Sequence, residues 1–180
     1  MEETSVTMIG IIIAAIIMLL VPLIMLSDTN DDIAQLLVQT ETAEFVDEVI
    51  KTGKITNDKY YKFVERLQSS GNIYDIDIEL KILDENTYKN YIVNGGNGTN
   101  VGSNTYYSIY TSQIEEMLNS ENNFGNKIIL KQGDAILITV SNNSKTLSQS
   151  LKSIYLGTRG TNMKIITATA SGTVATSGAR

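Results

Sequence analysis

One stretch constrains this chain more than any other: Val6 to Leu26, VTMIGIIIAAIIMLLVPLIML, 21 residues without a charge, sixteen of them Ile, Leu, Val or Met. Wound as a helix at about 1.5 Å per residue, it rises roughly 32 Å, close to the thickness of a bilayer's hydrocarbon core. Each strongly apolar residue favours insertion by about 0.3 to 0.6 kcal/mol, so the stretch as a whole favours it by roughly 5 to 8 kcal/mol. A cleaved signal peptide would need a basic n-region, a shorter apolar core and a small-x-small cleavage site. Here Glu2 and Glu3 precede the stretch and the polar run Ser27 to Asp32 comes after it. The expectation is a transmembrane anchor at the cell membrane, crossed once, with the lipid bilayer as the first partner.

Beyond the anchor the chain is short. Its 180 residues leave room for a connecting helix and one small domain. The boundaries read as 1–26 for a short tail and the transmembrane helix, 27–55 for an amphipathic stem helix, and 56–180 for an α+β extracytoplasmic domain. The Asn-, Ser-, Thr- and Tyr-rich composition places that domain outside. The positive-inside rule is silent, because no Lys or Arg occurs before Lys51.

Composition also excludes chemistry. The chain has no cysteine and no histidine. Disulfides, thiolate metal sites and every Ser–His–Asp or Cys–His mechanism are therefore ruled out, and with them the usual base near neutral pH. Only Asp or Glu with Lys or Tyr remains for acid–base work, and no motif places such a pair. The expectation is a non-enzyme without cofactor or metal, and no small-molecule substrate is identified. Residues 1–50 hold nine carboxylates and no basic residue, whereas residues 51–180 hold 14 basic and 11 acidic ones. An acidic stem against a mildly basic body argues against nucleic acid as a partner. It could draw the head of one subunit to the stem of another, at close range only, since screening acts within about 8 Å.

Along the anchor, Gly10 and Ala14 form a small-xxx-small pair that could let two helices approach; such pairs also arise by chance. Pro22 lacks an N–H and clashes with the preceding turn, which predicts a kink or local melting near residues 18–22. Ser27 to Gly53 reads as a second helical section. It either continues the first or starts afresh at Thr29 or Asn30, both good capping residues. Its apolar positions do not fall on one stripe: Ile33, Leu36 and Leu37 share one face, and Phe45, Val46, Val49 and Ile50 another. The switch at Gln39–Thr42 predicts either a break or two halves packed against different neighbours. Gly10, Ala14, Pro22, Ile33, Leu37, Phe45 and Val49 are accordingly the candidate helix-packing and assembly residues.

The domain reads as α+β. Thr56 or Asn57 caps a helix to Ser70, with Tyr60, Phe63, Val64 and Leu67 inward and Lys59, Lys62 and Arg66 outward. That basic face is ordinarily just solvated; it could also receive the acidic stem. Asn72 to Asp84 alternates strictly, with Tyr74, Ile76, Ile78, Leu80 and Ile82 on one side and Asp75, Asp77, Glu79 and Lys81 on the other, a half-buried antiparallel strand. The three carboxylates could offer oxygens to a hard cation, but alternate residues stand about 7 Å apart, too far for one ion without loop ligands. Asn94 to Asn104 is a loop of Asn and Gly. Asn97–Thr99 and Asn142–Ser144 match the glycosylation acceptor pattern. Thr105 to Tyr110 reads as a strand, followed by a helix capped by Ser112 and Glu115. Lys127 to Leu130 and Ala135 to Ser141 read as strands about a Gln132–Asp134 turn, Ser144 or Thr146 as the start of a helix, and Met163 to Ala175 as a last strand. In all, four or five antiparallel strands are expected.

A proline-interrupted apolar N-terminal helix, an amphipathic continuation and a small antiparallel domain resemble the pilin-like layout. The segments that carry the likeness are MLLVPLIML (18–26), the acidic segment after it, and ITATASGTVA (166–175). On these the chain is similar to the small membrane-anchored proteins of tight-adherence (Tad/Flp) pilus systems, and more loosely to TadE-like pseudopilins. Glu2 and Glu3 stand before the apolar run, where the family places a glutamate at its start. The resemblance implies a structural role in a bacterial envelope or pilus apparatus, through self-association or other apparatus subunits. A binding or sensor module on a monomeric anchor is the alternative, with Tyr106, Tyr107, Tyr110 and the Asn/Gly loop as its surface.

Overall fold

The computed structural model describes residues 2–84, 105–119, 126–156 and 166–177. One helix dominates it. α1 runs unbroken from Glu2 to Thr52, 51 residues, about 76 Å at the usual rise. Neither a melted turn at Pro22 nor a fresh start at Thr29 interrupts it. Pro22 removes one donor, which leaves the carbonyl four residues back without a helical partner; that alone does not end a helix. Ser27 and Thr29 do not cap a new helix. Their hydroxyls donate back to the carbonyls of Leu23 and Met25, at 2.8 and 3.0 Å, the bond such side chains make inside a continuing helix. α1 ends where Gly53 takes a left-handed φ of 62° and donates its N–H to Val49 O at 2.8 Å.

The first half of α1 stands clear of the rest. Every residue from Thr4 to Leu26 is exposed except Leu20 and Ile24, which are half-buried. Its best 18-residue window has a mean hydropathy of 3.1, so this helix is long and apolar enough to span a membrane. The second half belongs to the domain core. Its buried stripe is Ser27, Asp31, Ala34, Val38, Thr42, Phe45 and Val49, steps of three and four residues that keep one face inward. The two differently aimed apolar faces expected from the sequence are both present: Phe45, Val46 and Val49 face the core, while Ile33 and Leu36 are 60 and 64% exposed on the outward side. What the sequence hid is the inward stripe of the lower part of this half, which runs through Ser27, Asp31 and Thr42, polar residues each satisfied locally or across the interface.

β1 (Lys54–Thr56) comes next and leads directly into α2 (Asn57–Gln68), which Thr56 caps by accepting from Lys59 N. β2 (Tyr74–Asp84), β3 (Thr105–Tyr110), α3 (Thr111–Asn119), β4 (Lys127–Ile129), β5 (Ala135–Asn142), α4 (Leu147–Leu156) and β6 (Thr167–Thr173) complete the order. The main sheet runs β3-β2-β5-β6, and β1 pairs with β4 in a separate two-stranded ladder. Each of these pairings is antiparallel. The class is thus helix plus antiparallel sheet behind a long apolar N-terminal helix. Asn94–Asn104, Asn97–Thr99 and the start of the strand expected from Met163 lie outside the described residues.

Alternation in β2 sends Ile78 and Leu80 into the core. The register then grades side-chain size across the sheet: Leu80 faces Ile136, which faces Gly172; Ile78 faces Ile138, which faces Ala170; Ile76 faces Val140, which faces Ala168. Volume falls toward β6, and α1 lies in the space so made. At Gly172 a Cβ would collide with Ile50 Cδ1 and sit 3.3 Å from Ile50 Cγ1. The small alternating run that reads merely as a β-rich tail is a seat for a helix. α2 closes the other flank of α1, where Phe45 and Phe63 stack with centroids 4.6 Å apart. At the turn before β5, buried Asp134 accepts from Leu83 N at 2.8 Å and Lys131 N at 2.7 Å.

Candidate functional site

The seven candidate assembly residues fall into three environments. Gly10, Ala14 and Pro22 are exposed on the free half of α1. Ile33 is 60% exposed beyond the apolar segment, beside Leu36 at 64%, and Leu37 is half-buried. Phe45 and Val49 are buried in this chain's own core, so intrachain packing accounts for both. The structure therefore groups an uncovered strip that starts in the apolar segment and continues onto Ile33 and Leu36.

The acidic and basic surfaces meet within one chain. α1 and α2 lie side by side, which sets Lys59 Nζ 2.6 Å from Glu48, and Arg66 3.1 Å from Glu41 and 3.8 Å from Glu44. Lys62 bonds to Asp58 at 2.9 Å on α2 itself. These groups line a shallow groove of about 360 Å³ with Phe45 and Phe63. The α2 face does receive the acidic stem, but the stem is its own. Exposed pairs of this kind contribute about 0 to 1 kcal/mol each, so they set the angle of α2 more than they stabilise it. On the inner side of α2, Tyr60 donates to Glu115 Oε1 at 2.7 Å. Burial, reinforced by the Glu115 carboxylate, pushes the Tyr60 hydroxyl well above the usual phenol range.

A polar collar, unread in the sequence, grips one face of α1 just past the apolar segment. Thr146 caps α4 in a box: its hydroxyl accepts from Gln149 N, and Gln149 Oε1 accepts from Thr146 N at 3.1 Å. The same hydroxyl donates to Asp31 Oδ2 at 2.7 Å. One turn lower, Ser148 and Lys152 both bond to Asp28. Four residues farther up, Gln35 reads the edge of β6 as a strand would, donating to Thr167 O at 2.7 Å and accepting from Thr167 N at 3.0 Å. The sequence signal for this collar was Thr146-x-x-Gln149, together with aspartates at the buried spacing of α1.

On the outer face of the sheet, Asp77, Glu79, Tyr110, Thr111, Ser112, Leu137 and Thr139 line an open groove of about 510 Å³. Asp75 accepts from Asn143 at 3.0 Å and Glu79 from Ser108 at 2.7 Å, so the three strand carboxylates do not converge. Among the described residues no group of three or more acids is placed to hold a metal ion. Tyr106, Tyr107 and Tyr110 are each about half exposed along the β3 edge. No family model, no curated protein and no solved structure matches this chain.

Proposed function

We propose that this chain is a non-catalytic, single-pass structural or assembly component of a bacterial pilus-like apparatus of the tight-adherence (Tad/Flp) kind, with its domain on the extracytoplasmic side. The observation that carries the reading is the division of α1. Its second half is clamped into the sheet by the Ala168–Gly172 seat, while its first half and the outward Ile33 and Leu36 have no partner among the described residues. A tether needs only an apolar segment. A helix that carries aliphatic side chains on past the bilayer, on the face away from its own domain, suits lateral packing against other subunits.

The test uses the absence of native cysteine. Ile33→Cys or Leu36→Cys chains, oxidised in native membranes, should give disulfide-linked dimers, or adducts with another subunit. Chains that stay monomeric at both positions, and that run as monomers in mild detergent, would refute assembly and favour the tethered binding module. The specific observation behind that second reading is the outer-face groove with Tyr110, Asp77 and Thr139.

A further inference from the structure

The exposed aliphatic side chains of the domain are not scattered. Outside the apolar segment, the described residues with large exposed aliphatic side chains are Ile33, Leu36, Ile73, Leu147 and Ile154; the others on the surface are tyrosines. All five lie at the end of the domain nearest the apolar segment. Ile33 and Leu36 are on the outward face of α1. The other three belong to one ledge. Ile73 O accepts from Asn143 N at 2.9 Å, which ties it to the link into α4, and Leu147 and Ile154 lie seven residues apart on one side of that helix. Their exposures are 67, 61 and 78%, an unfavourable display in water.

The height of this ledge is set by its bonds to α1. Thr146 is held at Asp31, and Ser148 and Lys152 at Asp28, so α4 descends α1 in the direction of Leu26 as it runs. At about 1.5 Å per residue, Asp31 lies about 7.5 Å and Asp28 about 3 Å beyond Leu26. The headgroup region on each side of a bilayer is itself about 5 to 7 Å thick. Ile154 lies two residues past Lys152, at the low end of the descent. The cations of this ledge are Lys145, which is exposed, and Lys152, which lies beside Asp28.

We infer that α4 and the adjoining Ile73 turn form an interfacial ledge that rests in the headgroup layer of the bilayer spanned by α1, with Leu147, Ile154 and Ile73 entering the acyl boundary. The partner is the lipid surface, because the ledge is continuous with the membrane-spanning helix and its bonds to α1 fix it at headgroup height. Apolar side chains of an amphipathic helix reach about 5 to 10 Å into that boundary. The domain is then seated on the membrane rather than raised above it on a stalk. This inference rests on α1 spanning the bilayer.

Single cysteines at Leu147, Ile154, Ile12 and Tyr106 of the full chain, each labelled with an environment-sensitive fluorophore, test it in vesicles of phosphatidylcholine and phosphatidylglycerol. Doxyl-labelled phosphatidylcholine serves as the quencher, since it acts only on labels that touch lipid. Labels at Leu147 and Ile154 should show blue-shifted emission and quenching several-fold above that at Tyr106, the distal control. Aqueous emission at both ledge positions with strong quenching at Ile12 would overturn the ledge and leave the anchor standing. Blue-shifted ledge emission without doxyl quenching, reversed by diluting protein into excess lipid, would assign the ledge to a second copy and also overturn it. Absence of quenching at Ile12 itself would remove the spanning helix, and with it the premise.

Discussion

Replacing Gly172 by valine sets two rules against each other. Valine is a strong strand residue and glycine a weak one, so propensity alone predicts that Gly172→Val stabilises β6 by about 0.5 to 1 kcal/mol. The geometry predicts the reverse. A Cβ at this position already collides with Ile50 Cδ1 and crowds Ile50 Cγ1, and valine adds two methyls toward Val46, whose Cγ1 is 4.0 Å from that Cβ. Overpacking of this kind costs about 1 to 3 kcal/mol. Because the Cβ alone already collides, the steric cost lies in the upper part of that range, about 2 to 3 kcal/mol, and the net loss is about 1 to 2.5 kcal/mol. In a chain of this size each kcal/mol lowers the melting temperature by about 2 to 4 °C. Guanidinium titration of the full chain in detergent micelles, followed by circular dichroism, reads the loss directly. The pair isolates the cause. Ile50→Ala leaves a void and alone costs about 2 kcal/mol, at the low end for a partly covered site. In the double variant the new methyls occupy that void, so the combined cost falls below the sum by about 1 kcal/mol or more. A Gly172→Val chain as stable as the parent, or strict additivity with Ile50→Ala, would refute the seat.

Other consequences are as direct. Thr146→Val removes both the cap of α4 and the donor to buried Asp31, at about 2 to 3 kcal/mol; amide exchange in α4 should accelerate while β2 and β5 stay protected, and Asp31→Ala in that background should recover part of the loss. The raised Tyr60 hydroxyl makes stability complete below the ordinary phenol value of 10.0 and progressively lost as pH rises beyond it, because the unfolded chain ionises first. Tyr60→Phe should therefore flatten the alkaline limb of a stability profile without steepening the neutral one. Lys59→Ala breaks an ion pair with a half-exposed Glu48 and should cost under about 1 kcal/mol, a difference that 1 M salt erases.

Where the sequence was legible, local rules and tertiary packing agreed. The strict alternation of Tyr74 to Leu80, the Thr56 cap and the uncharged run from Val6 each rest on a period or a single residue. Legibility failed where partners lie far away. β1 is three residues long and carries no period; it exists because Lys54 to Thr56 meet Lys127 to Ile129. The stripe of α1 was hidden because Asp31 and Thr42 are buried polar groups. Thr42 bonds to Val38 O at 2.6 Å within the helix, but Asp31 depends on Thr146, 115 positions on. Charge counting found the acidic stem and the basic helix; that they meet within one chain depends on the antiparallel lie of α1 and α2.

The seat of α1 on β6 also sets a schedule. The helix end is finished by residues far along the chain, Ala175 N reaching Ile50 O at 3.3 Å and Thr176 Oγ1 reaching Lys51 O at 2.6 Å. Synthesis at about 5 to 20 residues per second places β6 roughly 6 to 25 s behind α1. Through that interval Val46 and Ile50 lack the Gly172 seat, and the contact they await spans most of the chain, the slowest kind to close. If the apolar half spans a bilayer as proposed, the helix would wait in one orientation rather than in free solution. On the proposed anchoring, membrane insertion would act as a folding jig, holding the first-made element still until the last strand arrives.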